Sequence, residues 1–342
     1  MTSDLAKYLD KFSRSKNVGD VKVFISGPKN DFHYASAASK PKHYLASSSK
    51  LYTNSLIFGM IDSRAFDLST PVVEILGQEL LEDLTTGDSH KVITIEQLMR
   101  HTSGIPDFFE EKTPDGKAIL DLVLKQDQGF TTLEMINRAK AMRSKGLPGK
   151  RAHYSDTNYQ LLCLILEKVS GESYERIFQD RICKPLGLVD TYVDEISRSK
   201  DLVSKFKYGM NEISIPNYMA STRADGGVVS NCTETMKFLK AYYRGELFNR
   251  KFSDPNSDTW RKIFSPFEYG LGQMKLALPS YMTGFKRTAP LFGHGGATGH
   301  AMFVDLKNQT YFVAVVNQLK NRSLVYRLLI NLQLRSNQGL ID

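Results

Sequence analysis

Ser47 and Lys50 lie three residues apart at the start of an apolar segment, and together they could form a serine nucleophile beside a base. Residues at this spacing face the same way on a helix, so a helix here would bring the lysine amine over the serine hydroxyl. An adjacent base is the usual means of activating a weak serine nucleophile. The same residues would also suit a Ser-rich N-cap on an ordinary core helix.

The Ser-x-x-Lys spacing by itself is common in this chain. It occurs six times, starting at Ser13, Ser26, Ser39, Ser47, Ser197 and Ser204. Ser47 alone opens a long helical pattern, because the segment from Leu51 to Ile61 repeats its apolar residues near the 3.6-residue period. The other copies run into polar, glycine-containing or proline-containing segments that do not begin a long helix. Context therefore favours Ser47 as the nucleophile and predicts a helix with one buried face.

The segment Tyr154-Ser155-Asp156 is a second candidate group, and it precedes an amphipathic segment from Leu161 to Val169. Beside a nucleophile and a lysine, a tyrosine phenol could relay a proton. A short polar side chain at the entrance of a helix could hold a substrate amide. The alternative is an ordinary N-cap made by the aspartate or the following threonine.

A third candidate is the glycine-rich segment 293–299, which lies between two strand-like segments. Glycines there would let a substrate backbone lie against an edge strand, and backbone N–H groups could point at an oxyanion. The segment lacks the Gly-x-x-x-x-Gly-Lys-Ser/Thr pattern of a nucleotide-binding loop, and no Rossmann spacing follows it. A plain glycine-rich hairpin turn is the other interpretation.

Helical and strand patterns indicate how the chain would position these groups. A helix is predicted over Ser3 to Ser15, followed by a hairpin of Val21 to Ile25 and His33 to Ala38. From the Ser47 helix to about Tyr243 helical patterns dominate, including Ile95 to Arg100, Thr132 to Met142, Asn158 to Ser170 and Thr233 to Tyr243. Strand patterns return at Leu291 to His294, His300 to Asp305 and Tyr311 to Asn317, before a last helix from about Arg322 to Leu334. Strands at both ends predict one sheet built from both termini, with a mainly helical region inserted.

Length and composition predict a globular protein with a sizeable core. The chain has 342 residues, of which 41% are hydrophobic and 24% charged, and no stretch approaches the ~20 continuous apolar residues of a membrane span. The N-terminal segment has no apolar core of the kind that a signal peptide needs. We therefore expect a cytoplasmic protein without stable membrane insertion.

The net charge of +8 includes six basic residues between Arg138 and Arg151, with no acid among them. A solvated surface is the favoured interpretation, and steering of anionic substrates or weak contact with nucleic acid or a membrane is the alternative. No nucleic-acid motif is present, so no nucleic-acid partner is expected. Cys163, Cys183 and Cys232 show no metal-ligand spacing and are expected to be buried free thiols, with a cysteine nucleophile as the less favoured alternative.

In this order, Ser47-x-x-Lys50, Tyr154-Ser155-Asp156 and His294-Gly295-Gly296 resemble the three motifs of the serine β-lactamase and penicillin-binding-protein superfamily. The chain is most similar to the branch that holds class C β-lactamases, DD-peptidases and family VIII esterases. The segments Ile93 to Ile105 and Pro185 to Leu188 also resemble that branch. The resemblance extends roughly from Leu45 to Asn317, which is most of the chain.

The resemblance implies an α/β fold in which an antiparallel sheet from both chain termini carries flanking helices and an inserted α-helical region. We assign residues 1–62 and 265–342 to the sheet domain and residues 63–264 to the helical domain. The active site would lie between the two.

The resemblance also implies covalent acyl transfer to water, without a metal or an organic cofactor. Ser47 would be the nucleophile, activated by a neutral Lys50 in a desolvated site near positive charge, with Tyr154 as partner acid or base. Whether Lys50 or Tyr154 takes the first proton stays open. The backbone N–H groups of Ser47 and Ala297 would form the oxyanion hole.

Substrate-binding positions implied by the resemblance are Asp156, His294, Gly295, Gly296 and Ala297, and two of the motifs depart from the family pattern. Asp156 stands where the branch usually carries Asn, and His294-Gly295 stands where β-lactamases and DD-peptidases usually carry Lys-Thr. The second change removes a fixed positive charge unless His294 is protonated, and it removes a hydroxyl that in the family helps to bind the substrate carboxylate.

We therefore expect a serine hydrolase that acts on ester or amide bonds, with a small ester, amide or peptide as substrate. A DD-peptidase or β-lactamase is the second hypothesis, and a catalytically inactive binding relative is the third. The sequence leaves the oligomeric state open.

Overall fold

The structure is a computed structural model that describes residues 4–28, 30–37, 39–195, 202–278 and 288–338. In chain order its strands are β1 (Lys22–Ser26), β2 (Asp31–Ala35), β3 (His43–Tyr44), β4 (Tyr192–Val193), β5 (Phe206–Tyr208), β6 (Asn211–Ile213), β7 (Val228–Ser230), β8 (Arg261–Phe264), β9 (Phe267–Tyr269), β10 (Met274–Leu276), β11 (Leu291–Gly296), β12 (His300–Asp305) and β13 (Thr310–Val315).

Eight of these strands form one antiparallel sheet in the order β2-β1-β13-β12-β11-β10-β9-β8. The first and last strands are neighbours, second and third from one edge of the sheet, with Val23 of β1 opposite Ala314 of β13. Smaller sheets pair β3 and β4 with β7, and β5 with β6. The predicted α/β fold with an antiparallel sheet from both termini is thus confirmed.

The helices precede, interrupt and follow these strands. They are α1 (Asp4–Ser13), α2 (Lys50–Asp62), α3 (Val72–Leu76), α4 (Gln78–Leu81), α5 (Ile95–Met99), α6 (Ile119–Lys125), α7 (Thr132–Lys140), α8 (Thr157–Ser170), α9 (Tyr174–Phe178), α10 (Lys184–Leu186), α11 (Pro216–Ser221), α12 (Cys232–Arg244) and α13 (Ser323–Ser336). Short 3-10 turns occupy Ala46–Ser49, Gly87–Val92 and Arg250–Phe252, and a π-helical turn occupies Gln179–Cys183. No helix in the described ranges is both long and apolar enough to cross a bilayer.

Helices cover both faces of the large sheet. Successive strand residues point to opposite faces, and Val23 and Ile25 accordingly pack in one apolar cluster with Leu5 of α1 and Leu329 of α13. Phe24 instead belongs to the larger cluster that includes the helical region. On that side α12 packs against β1, β12 and β13.

Helix α2 is buried around almost its whole circumference, whereas the sequence predicts one buried face. The ring of Tyr52 stacks on Phe238 at 3.4 Å between centroids, and Asn54 Nδ2 donates to the Gly272 carbonyl at 2.6 Å. A helix that is enclosed on all sides lies in the interior of a large core. The first residue of this helix, Lys50, is therefore carried into the middle of the protein.

The predicted helices and strands that carry the motifs are present, with bounds shifted by one to three residues. Helix α8 ends at Gly171, which has the expected left-handed conformation at φ +72°. The predicted β1–β2 hairpin is also observed. Ser3, Ala38 and the Ser197-x-x-Lys200 copy lie outside the described residues.

Strands β8, β9 and β10 were missed, since the sequence predicts no strand between about Tyr243 and Leu291. Each is only three or four residues long, and charged residues such as Lys262, Glu268 and Lys275 interrupt the apolar pattern. β8 also falls within the segment 63–264 that we assigned to the helical domain. The division into two domains stays a prediction.

Candidate active site

Ser47 lies in a tight turn between β3 and α2. The 3-10 turn Ala46–Ser49 leads directly into α2, and Ala46 has φ +46°, a conformation that costs a non-glycine residue about 1–3 kcal/mol. Ser47 is half-buried and lines a pocket, whereas Ser48 and Ser49 are fully buried. Of the three consecutive serines, Ser47 is the one that the turn presents to the pocket.

The turn is held closely against β11. Ser48 Oγ donates to the His294 carbonyl at 3.2 Å and lies 2.8 Å from His300 Nδ1, which can donate to it. A Cβ added to Gly296 would lie 2.2 Å from the Leu45 carbonyl oxygen, so a side chain there would separate the turn from the strand. These contacts bring the first and third sequence motifs together.

Lys50 is fully buried and contacts the second motif. Its Nζ lies 2.7 Å from Asp156 Oδ1 and donates to the Asp225 carbonyl at 2.9 Å. It also lies 5.2 Å from the ring centroid of Tyr154 and 5.1 Å from that of Tyr159. The sequence predicted positive charge near Lys50. The groups that contact its amine are instead a carboxylate, a backbone carbonyl and two aromatic faces.

Tyr154 places its hydroxyl beside Ser47. Burial, followed by the charge of Asp156, raises the pKa of the Tyr154 phenol well above its ordinary value, and its interaction with the Ser47 hydroxyl partly opposes this rise. The Tyr154 ring packs against the imidazole of His101, with 4.2 Å between the ring centroids. His101 belongs to the segment Ile93 to Ile105, which therefore supports the Tyr154 motif. Tyr154 is therefore a protonated phenol that can pass on a proton.

Asp156 occupies the N-cap position of α8, but its side chain forms no capping hydrogen bond. Its side chain accepts no hydrogen bond from the first turn of the helix and instead forms the ion pair with Lys50. Its backbone N–H donates to Asp107 Oδ1 at 2.9 Å. Ser155 between the two motif residues is buried and donates to the Pro106 carbonyl, so its role is structural.

His294 is a buried, neutral imidazole. Its Nδ1 lies 2.8 Å from the Gly295 carbonyl and its Nε2 lies 3.1 Å from the Tyr269 hydroxyl. Burial, reinforced by the charge of Lys50, lowers the pKa of His294 to about 3. His294 therefore does not replace the fixed positive charge of the family lysine at neutral pH.

Gly295 leaves room for a side chain from α13. A Cβ at this position would lie 2.1 Å from the Tyr326 hydroxyl oxygen, so that hydroxyl occupies the space of the family threonine side chain. Burial raises the pKa of Tyr326 to about 12. The strand thus presents no hydroxyl of its own at this position.

Ser47, Asp156 and Ala297 line one pocket of about 420 Å³, which includes the open space at its mouth. The two backbone N–H groups predicted to form the oxyanion hole, those of Ser47 and Ala297, therefore belong to residues of a single pocket wall. Lys50 contacts Asp156 and Tyr154 interacts with Ser47, so all the predicted catalytic residues gather here.

Most other residues in and around the pocket were not predicted from the sequence. Asp225, Tyr218 and Phe109 line the pocket, and Asp107 lies next to Asp156. Asp225 directly precedes Gly226 and Gly227, and this short segment matches no motif that would predict a functional site. The tertiary structure alone brings these side chains to Ser47.

The three cysteines are thiols that form no disulfide in the described part of the chain. Cys163 and Cys183 are buried, and Cys232 is half-buried. Burial raises the pKa of the Cys163 thiol and raises that of Cys232 to about 12. Thiols of this kind are poor nucleophiles, so the alternative of a cysteine nucleophile gains no support.

The chain is similar in sequence to a D-alanyl-D-alanine carboxypeptidase and to a putative penicillin-binding protein. The chain is 24% identical over 208 residues to the D-alanyl-D-alanine-carboxypeptidase/endopeptidase AmpH of Escherichia coli, covering 60% of this chain and 50% of that protein. It is 25% identical over 312 residues to the putative penicillin-binding protein PbpX of Bacillus subtilis, covering 87% and 69%. The chain thus spans only about half the length of AmpH.

The fold agrees with that of a solved structure. The crystal structure of D-amino acid amidase from Ochrobactrum anthropi matches with a TM-score of 0.77 at 19% identity, covering 98% of this chain and 99% of that one. The Beta-lactamase family model matches residues 33–334, well over half of the chain. Together with the ordered motifs around Ser47, this match shows that the chain belongs to the Beta-lactamase family.

Proposed function

We propose that this protein is a serine hydrolase that cleaves ester or amide bonds of small substrates through a covalent acyl-enzyme on Ser47. The observation that carries the proposal is the position of Ser47, exposed to a pocket beside the buried cluster of Lys50, Tyr154 and Asp156. The family membership of the chain supports the same chemistry.

The proposed reaction proceeds in two steps. Ser47 Oγ attacks the carbonyl carbon, its proton passes to the unit of Lys50 and Tyr154, and that proton reaches the leaving oxygen or nitrogen as its bond to carbon breaks. Water then attacks the acyl-serine ester and releases the acid. The N–H groups of Ser47 and Ala297 would stabilise the oxyanion in both steps.

Asp156 gives the unit a carboxylate in place of the usual asparagine amide. Its Oδ1 lies 2.7 Å from Lys50 Nζ, so it fixes the position of the lysine amine in the cluster. The proton of Ser47 would pass to Lys50 or to Tyr154. Which of the two receives it first stays open.

The substrate class follows from what replaces the family Lys-Thr pair. Neutral His294 and Gly295 supply neither a cation nor a hydroxyl for a substrate carboxylate. A DD-peptidase or β-lactamase is the second candidate, which the similarity to the carboxypeptidase AmpH and to PbpX favours. An inactive relative is the third, and a cytoplasmic location also stays a prediction.

A comparison of substrates on one preparation tests this proposal. Charge-assisted hydrogen bonds contribute about 1.5–3 kcal/mol each, so their loss disfavours substrates that carry a carboxylate. We expect kcat/KM for a short-chain p-nitrophenyl ester to exceed that for nitrocefin or a D-Ala-D-Ala peptide. Intact-mass measurement should also show one adduct after incubation with a fluorophosphonate.

Two outcomes would contradict the proposal in different ways. Neither an adduct nor turnover of any of these substrates would mean that the protein is not a serine hydrolase. A clear preference for nitrocefin or the D-Ala-D-Ala peptide would make the second candidate the better description.

The ionisation of His294 predicts how this preference depends on pH. A histidine with a pKa near 3 gains its charge only well below pH 5, so it offers no cation to a carboxylate between about pH 8 and about pH 5. The ratio of nitrocefin to ester kcat/KM should therefore not rise as the pH falls across this range. A rise with a midpoint in the ordinary histidine range would show that His294 becomes charged in the site.

A further inference from the structure

Asp225 is a buried carboxyl group without a hydrogen-bond partner. It is 3% exposed, it lines the pocket of Ser47, and both of its carboxyl oxygens lack a hydrogen bond among the described residues. The Gln160 side chain is close enough to influence it but forms no regular hydrogen bond with it. Buried polar groups are almost always paired, so an unpaired carboxyl in a pocket indicates a missing ligand.

The pocket holds more acid than base. Asp156 and Asp225 line the pocket near the buried Lys50, which contacts Asp156, and Asp107 lies behind them and accepts from the Asp156 backbone N–H. Burial, followed by the charge of Asp156, raises the pKa of Asp107 to about 8 and raises that of Asp225 well above its ordinary value. A positive charge beside Asp225 would offset the desolvation that raises its pKa.

The other charged groups near this cluster already have partners. Glu110 pairs with Arg322, and Glu111 pairs with Lys145 and His153. Among the described residues they therefore offer no free cation to Asp225. Lys50 already acts on Asp225 through its charge, but its ion pair is with Asp156, so a direct ionic partner for Asp225 would have to come from a ligand.

The remaining pocket wall also suits a cation. The rings of Phe109 and Tyr218 both line the pocket and stack on each other at 5.3 Å between centroids. Aromatic faces attract ammonium groups, and the attraction is stronger where water is excluded. Ile215, Met219 and Leu319 add apolar surface beside them.

We propose that Asp225 anchors a subsite for a protonated amino group on the acyl part of the substrate, so that the preferred substrates are esters or amides of acids with a free amine, such as amino acids. The inference rests on the proposed function, because the amine would be held while Ser47 attacks the acyl carbon. Ser47 and Asp225 line one small pocket, so the amine would lie within a few atoms of that carbon.

The test compares the benzyl esters of alanine, in both enantiomers, with the benzyl ester of propionic acid, which lacks the amine. For the better alanine enantiomer, the ratio of kcat/KM to that for propionate should fall about tenfold or more in Asp225→Asn, mainly through KM. Asp67→Asn is the matched control, because Asp67 is exposed beyond the far end of α2. It should leave the ratio at the wild-type value.

A binding measurement on the wild-type protein keeps the inference testable if Asp225→Asn does not fold. Alaninamide should slow fluorophosphonate labelling of Ser47 at a concentration about tenfold lower than propionamide does. Equal protection, or an equal ratio of esters in the wild-type and Asp225→Asn proteins, would overturn the amine subsite alone. Absence of both labelling and ester hydrolysis would overturn the proposed function, and the subsite with it.

Discussion

Replacement of Ser47 by alanine should abolish fluorophosphonate labelling and lower kcat/KM for a p-nitrophenyl ester by roughly three to six orders of magnitude. Ser47 is the pocket-lining serine of the turn that leads into α2, and no other hydroxyl in that turn reaches the pocket. Without its oxygen the acyl-enzyme cannot form. Only the catalysis that comes from substrate binding and the oxyanion hole would remain.

Ser13→Ala is the matched control, since Ser13 is also followed by a lysine three residues later. It ends α1, which packs on the opposite face of the sheet, and its hydroxyl donates only to the Asp10 carbonyl. Labelling and turnover should stay at the wild-type level. A Ser47→Ala protein with wild-type ester hydrolysis would show that another residue is the nucleophile.

Lys50→Ala and Tyr154→Phe should each cause a severe loss of kcat/KM, and the double variant should be little worse than the poorer single variant. The lysine amine lies 5.2 Å from the tyrosine ring centroid, and the tyrosine hydroxyl interacts with Ser47, so we expect the two residues to act as one proton-transfer unit. Residues that act as a unit lose activity non-additively. The measurement is a double-mutant cycle on ester hydrolysis.

The lysine variant needs a folding control, because it leaves Asp156 buried without its ion-pair partner. Removal of one member of a buried pair typically costs about 3–5 kcal/mol of stability. Thermal unfolding and the extent of fluorophosphonate labelling should be measured alongside the rates. Fully additive losses in folded variants would mean that Lys50 and Tyr154 contribute independently.

The identity and order of the catalytic motifs were predictable from the sequence, because local spacing records them. The apolar period after Ser47 predicts α2, and one helical turn is enough to place Lys50 beside the serine. Glycine at positions 295 and 296 likewise indicates a close approach. The sequence predicted a substrate backbone there, whereas in the structure the Tyr326 side chain and the Leu45 carbonyl approach these positions. Each of these features depends on residues near one another in the chain or on a backbone demand that glycine alone meets.

The charge of the site was decided only by the tertiary structure, because burial and long-range contacts set ionisation. Neutral His294, the Lys50–Asp156 pair and the unpaired Asp225 come from segments more than 60 residues apart. The short strands β8 to β10 also depend on the sheet, because charged residues interrupt their apolar pattern. β10 pairs with β11, β9 with β10 and β8 with β9, and this pairing supplies their hydrogen bonds. The sequence by itself determined which residues we propose to attack the substrate and to relay the proton. The fold decided which charges surround them, because the desolvation that shifts a pKa exists only once distant segments pack together.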